Sequence, residues 1–230
     1  MQKDNIERNI KEFLEGRGKN KGRHSDERYA SFDYCFNYFQ SFRENGNISK
    51  LADNKNIQSS CMHLAFYLAS WGMFRGSSFL LEKSARYFTP LIKKISKFDK
   101  KIWEIDADNY AGKNSIKLLL NFKKQASELL GDDKKPSDTL ITKIMLGVFG
   151  NIPAFDDFFK KFLKKEKYCQ TFNETSLKQL GDYYERNSNK IKKYKHKIFT
   201  FDFLTGNETK RNYTNAKIID MIGFTEGQNK

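Results

Sequence analysis

Cysteine, proline and histidine are scarce in this chain, with three of each among 230 residues. Cys35, Cys61 and Cys169 are odd in number, widely spaced and without CxxC spacing. That argues against a disulfide framework or a Cys-rich zinc site and makes a reducing cytoplasm the expected setting. His24, His63 and His196 share no metal-ligand spacing, so no metal is expected. With so little proline and no long Gly/Ser stretch there is no linker, and residues 1–230 are expected to form a single domain. No apolar run approaches the roughly 18 residues of a membrane span. The start, Met1-Gln2-Lys3-Asp4-Asn5, lacks the apolar core of a signal peptide. No membrane partner is expected. HExxH, the nucleophile elbow and the dinucleotide fingerprint are all missing, and no cofactor is expected.

What the chain does have is aromatic residues and positive charge. Phe and Tyr, 21 and 11 residues, must supply much of the core, because the hydrophobic fraction is only 38%. Lys and Arg outnumber Asp and Glu by 42 to 28, a formal charge of +14. Residues 158–197 alone hold twelve Lys+Arg and four acids, so eight of the surplus charges lie there. A basic face of this kind fits nucleic acid, and the expected partner is double-stranded DNA bound by a monomer. A solvated Lys-rich surface is the bland alternative.

Hydrophobic periodicity predicts a mostly α fold: a compact multi-helix domain with a small C-terminal β-hairpin or single strand. Helices are expected over 3–15, 26–44, 56–75, 78–97 (broken near Pro90), 113–130, 138–146, 153–167, 174–186 and 214–222. Residues 16–25 read as a mobile basic loop that either clasps phosphate or does nothing. Residues 198–204 alternate as a strand. The helix at 26–44 is almost encircled by aromatic residues and should be buried. Asp33, Asn37, Gln40 and Glu44 draw a polar stripe along it, facing either solvent or a cleft. On the next helix His63, Tyr67, Trp71 and Arg75 follow at i+4 steps and share a face, as a packing seam or a pocket wall. Ser77 or Ser78 is placed to cap the helix after them.

The sharpest local pattern runs from 137 to 165. A capped helix leads to Gly147-Val148-Phe149-Gly150, then Asn151-Ile152-Pro153-Ala154-Phe155-Asp156 and a second helix carrying Lys160, Lys161, Lys164 and Lys165. Pro153 suits the first turn of that helix. Residues 130–165 resemble the helix-hairpin-helix element of the DNA glycosylase superfamily. The family's L-P-G-[IV]-G hairpin is absent. Its place is taken either by Gly147–Gly150 or by Gly131–Pro136.

The resemblance implies a hairpin whose backbone N–H groups grip one phosphate, here at Gly147 and Gly150, with the four lysines on neighbouring phosphates. It also implies a catalytic carboxylate at Asp156 and an attacking amine. Lys134, Lys135 or Lys143 would supply the amine. The pocket for an extruded base would be lined by Asp33, Asn37, His63, Tyr67, Trp71 and Arg75. Two other functions are compatible with the same residues: a non-catalytic helical DNA- or RNA-binding protein, and a helical protein-interaction module. Acid pairs Asp132-Asp133 and Asp156-Asp157 leave a metal-dependent nuclease as a more distant alternative.

Overall fold

The computed structural model describes residues 4–18, 21–76, 78–131 and 135–229. Nine α-helices are present among them: α1 (Asp4–Glu15), α2 (Ser31–Glu44), α3 (Ile57–Ser70), α4 (Thr89–Ile95), α5 (Lys113–Leu129), α6 (Asp138–Phe149), α7 (Asp157–Lys165), α8 (Glu174–Lys195) and α9 (Asn215–Gln228). An antiparallel hairpin, β1 (Phe199–Phe201) and β2 (Glu208–Asn212), lies between the last two. The mostly α expectation and the C-terminal hairpin are both met.

Two helices form the centre. From Leu140 to its end α6 is buried on every side, and α9 is buried from Asn215 to Gly227. A helix that is apolar around its circumference must be interior, and α6 fits that rule. Helices α2 and α3 pack on α6, while α1, α7 and α8 pack on α9. Caps set the starts: the Ser137 hydroxyl accepts from Leu140 N–H, and Thr214 does the same for Lys217. Asp106 adds two bonds at the head of α9, accepting from Asn215 and Ala216 N–H at 2.8 Å each. Phe32, Phe36 and Phe39 of α2 lie in the core, as their pattern predicts.

Several boundaries differ from the sequence expectation. The segment 26–44 begins as a 3-10 turn at Arg28–Ala30 before α2. Helix α3 ends at Ser70, so Trp71 and Arg75 sit in the turn beyond it. The 78–97 segment is two 3-10 turns followed by the short α4, with Pro90 in its first turn. Helix α8 runs nine residues past the expected end at 186, through the Lys-rich tail to Lys195. Residues 16–25 are not a detached basic loop in their described part. Arg23 is buried, its guanidinium bonding Asp33 and the Phe199 carbonyl. Lys19, Asn20, Ser77, Asp132, Asp133 and Lys134 lie outside the described residues.

Candidate functional site

The segment joining α6 to α7 differs from a phosphate-gripping hairpin. Gly147 is inside α6, not in the turn, and a Cβ there would meet the Tyr67 ring at 2.5 Å. Its bareness lets α3 approach α6. Gly150 ends the helix at φ 69°, a left-handed conformation, and its N–H reaches the Leu146 carbonyl at 2.9 Å. Residues 151–155 are all buried.

Three of their donors are satisfied internally, while Asn151 Oδ1 is buried without a hydrogen-bond partner among the described residues. Asn151 Nδ2 donates to the Ile102 carbonyl, Phe155 N–H to Thr142 Oγ1, and Ala154 N–H to Asp220 Oδ1 at 2.9 Å. Gly147 and Gly150 are therefore interior, and the expectation that they present N–H groups to a phosphate is corrected. The reason is aromatic packing: the Tyr67 ring lies against Gly147 and the Phe36 ring against Gly150.

The buried turn instead delivers Asp156. This residue is the N-cap of α7, one residue before the helix and not inside a turn begun by Pro153. Its Oδ1 accepts from Phe159 N–H at 3.0 Å, and its Oδ2 lies 3.1 Å from Lys143 Nζ. Lys143 projects from α6, nearly two turns after the Ser137 cap. Its side chain is 4% exposed and that of Asp156 is 16% exposed, so solvent reaches the pair from the carboxylate side. The positive end of the α7 dipole faces this carboxylate.

A second pair lies behind the first. On α9, Lys217 Nζ is 2.8 Å from Asp220 Oδ2, and Lys217 is enclosed by the rings of Phe32, Phe13 and Trp71 at 4.5, 5.1 and 5.5 Å. The half-buried Trp71 links the two pairs, because Lys143 Nζ is 5.1 Å from the same ring. Arg28 lies over it too, at 5.3 Å. Three cations thus surround one indole, an arrangement favourable to its electron-rich face. Tyr29 stacks on Trp71 at 5.2 Å and on Phe13 at 4.5 Å. Trp71 Nε1 is buried and has no hydrogen-bond partner among the described residues. Burial pushes the Tyr67 hydroxyl well above its ordinary pKa, with Asp220, Cys35 and Asp156 adding to the shift, so Tyr67 stays protonated. A cleft of about 870 Å³ is lined by Phe13, Tyr29 and Arg28 of this cluster and by the ion pairs Arg17–Glu12 and Lys21–Glu27.

Of the residues singled out in the sequence, Asp156, Lys143, Tyr67 and Trp71 come together. The others do not. Asp33 accepts from Arg23, from the Tyr213 hydroxyl and from Phe201 N–H. Burial raises its pKa, with Arg23 the strongest opposing influence. Asn37 bonds Phe201, Thr200 and Arg211. Both residues anchor the β-hairpin, which is why the polar stripe on α2 exists. His63 is half-buried, stacked on Tyr38 at 4.0 Å, and Arg75 is exposed in the turn after α3. Lys135 lines a separate hollow beside α5 with Lys123 and Lys124.

On α7, Lys161 and Lys164 are exposed and Lys160 is half-buried. Lys165 is engaged with Glu226, at 3.2 Å from Oε1. Sequence reasoning missed Lys217, Asp220, Tyr29 and Arg28. The signal for the first two was present: opposite charges at i, i+3 in a helix otherwise apolar around its first turns.

No family model, curated protein or solved structure matches this chain.

Proposed function

We propose that this protein binds DNA and releases a base from it, using Lys143 and Asp156 at the N-terminus of α7. The observation that carries the reading is the 3.1 Å contact between Lys143 Nζ and Asp156 Oδ2 at a helix cap that solvent reaches from one side. An amine beside a carboxylate suits attack at a sugar C1′. The C1′–N bond breaks, and the base leaves with the bonding pair and takes a proton. Positive charge grows on C1′ and O4′, where the Asp156 carboxylate stabilises it. Lys143, having passed one proton through the adjacent Asp156 carboxylate to the departing base, donates its lone pair to C1′. Transfer of the second amine proton to O4′ as the C1′–O4′ bond opens then leaves a covalent iminium intermediate. The half-buried Trp71 is the aromatic side chain beside Lys143 that an extruded base would meet. The charge of +14 and the exposed lysines of α7 supply the attraction to phosphate.

The test is borohydride trapping on duplexes carrying a panel of damaged or modified bases and an abasic site. The wild-type protein is expected to form a covalent adduct with a trapped strand. Lys143→Gln should abolish the adduct while DNA affinity persists. Asp156→Asn should slow base release by at least about 100-fold, the scale on which loss of a charge-stabilising group is felt. Equal trapping by wild type and Lys143→Gln would reject the assignment of the amine. A folded wild type that binds DNA but neither traps nor releases any base in the panel would favour the non-catalytic DNA-binding function.

A further inference from the structure

The β1–β2 turn is firmly built and carries two large apolar side chains into solvent. Asp202 Oδ1 accepts from Thr205 N–H at 2.9 Å and from the Thr205 hydroxyl at 3.0 Å. Gly206 N–H closes the turn onto the Asp202 carbonyl at 3.0 Å. The strand behind is tied to the interior. Phe201 N–H donates to the buried Asp33, Asn37 Nδ2 donates to the Phe201 carbonyl at 2.9 Å, and the Arg23 guanidinium lies 4.0 Å from the Phe201 ring. Phe203 and Leu204 are nevertheless 74% and 89% exposed. Closing a two-stranded turn requires neither residue, and polar residues are the usual choice there.

The surroundings indicate what covers them. Phe203 leans edge-on against Tyr34 at 5.1 Å and lines a groove of about 400 Å³ with Tyr34, Phe66, Ser70 and Arg28. Phe66 is itself 62% exposed. Arg28, which lines the groove beside Asp26 and Glu27, is the same residue that lies over Trp71. Charge favours nucleic acid: residues 190–212, the end of α8 and the hairpin, hold seven Lys+Arg and two acids. Although Lys193, Lys195 and Arg211 pair with Glu7, Asp106 and Glu44, the exposed Lys192, Lys197 and Lys210 remain for a phosphate backbone. Of the two acids within 190–212, Asp202 is occupied by Thr205 and Glu208 faces Arg23 at 3.9 Å.

We propose that the hairpin tip is a nucleic-acid wedge, in which Phe203 and Leu204 stack against unpaired or unstacked bases while the lysines at the base of the hairpin hold the backbone. Apolar wedges of this kind insert at base steps and stabilise an opened duplex. The inference rests on the DNA-binding part of the proposed function and adds to it the surface that keeps the duplex open.

The experiment compares the full chain with Phe203→Ser/Leu204→Ser and with Leu204→Ser alone. The probes are a duplex containing one unpaired base, its fully paired counterpart, and vesicles of anionic phospholipid. Wild type is expected to prefer the unpaired-base duplex. The double variant should bind it about 10- to 100-fold more weakly, the range for losing one to two stacked bases, and the single variant should lose less. Melting temperature and the dependence of affinity on salt should not change, because every phosphate-binding charge is kept. Equal affinity of wild type and double variant for the unpaired-base duplex overturns the wedge while leaving DNA binding intact. Vesicle binding that the double variant loses, with DNA affinity unchanged, overturns it in favour of a membrane-contacting tip. Absence of DNA binding by wild type at low salt rejects the proposed function and the wedge together.

Discussion

Asp220 on the last helix accepts a hydrogen bond from the backbone N–H of Ala154, 2.9 Å away, while its other oxygen holds Lys217 at 2.8 Å. One buried carboxylate therefore fixes the turn that delivers Asp156 and neutralises the lysine packed among Phe13, Phe32 and Trp71. Removing it leaves an unpaired buried ammonium and an unpaired backbone donor. Asp220→Ala should lower unfolding free energy by about 3–5 kcal/mol. Replacing both members, as in Lys217→Met/Asp220→Leu, should recover part of that loss. Urea titration of the three proteins measures both effects, and a single variant as stable as wild type would contradict the pairing.

Gly147 is held against the Tyr67 ring, and an added Cβ would lie 2.5 Å from Tyr67 Cε1. Gly147→Ala should cost about 1–3 kcal/mol through overpacking, despite alanine's better helix propensity. Combining it with Tyr67→Leu should be less damaging than the two losses added together. Thermal melts of the single and double variants provide the check.

Lys160, Lys161 and Lys164 of α7 should govern affinity without governing stability. Lys160→Glu/Lys161→Glu/Lys164→Glu is expected to weaken duplex binding strongly and to reduce the slope of log affinity against log salt by up to about 0.9 for each phosphate left without its lysine. Lys165 behaves differently, because it bonds Glu226 Oε1 and the Glu226 carbonyl. Lys165→Glu should also lower the melting temperature by loosening the end of α9. Fluorescence anisotropy across salt concentrations separates the two classes.

Arg211 grips Glu44 with two bonds, at 3.0 and 2.6 Å, and this contact lowers the Glu44 pKa below its ordinary 4.5. A depressed folded-state pKa means that the unfolded chain binds the proton more readily. The stabilisation is therefore present above the unfolded pKa and is lost as pH falls through the folded one. The stability difference between wild type and Glu44→Gln should be present at pH 7 and disappear in acid below about pH 4. Its size should be small, because the pair is open to water. Denaturant midpoints measured from pH 7 down to pH 3 give the profile, and a gap that widens in acid would reverse the sign.

Short-range rules were enough to specify the helical class, the buried aromatic face of α2 and the C-terminal hairpin, whereas Lys143 and Asp156 were singled out through the resemblance of residues 130–165. Those rules are a 3.6-residue apolar period, a Ser137 cap and an alternating strand. They also pointed to Tyr67 and Trp71, because i+4 spacing places residues on one face whatever that face meets. Long-range packing decided the rest. Only the fold puts α9 behind the α6–α7 turn, so that Asp220 satisfies Ala154 across 66 residues and the turn becomes interior, not a phosphate grip. It also turns Asp33 and Asn37 from possible pocket walls into anchors for strands more than 160 positions away. Local periodicity specifies which residues share a surface. Which surface meets it is set by burial and hydrogen-bond satisfaction summed over the whole chain, and these depend on the tertiary contacts.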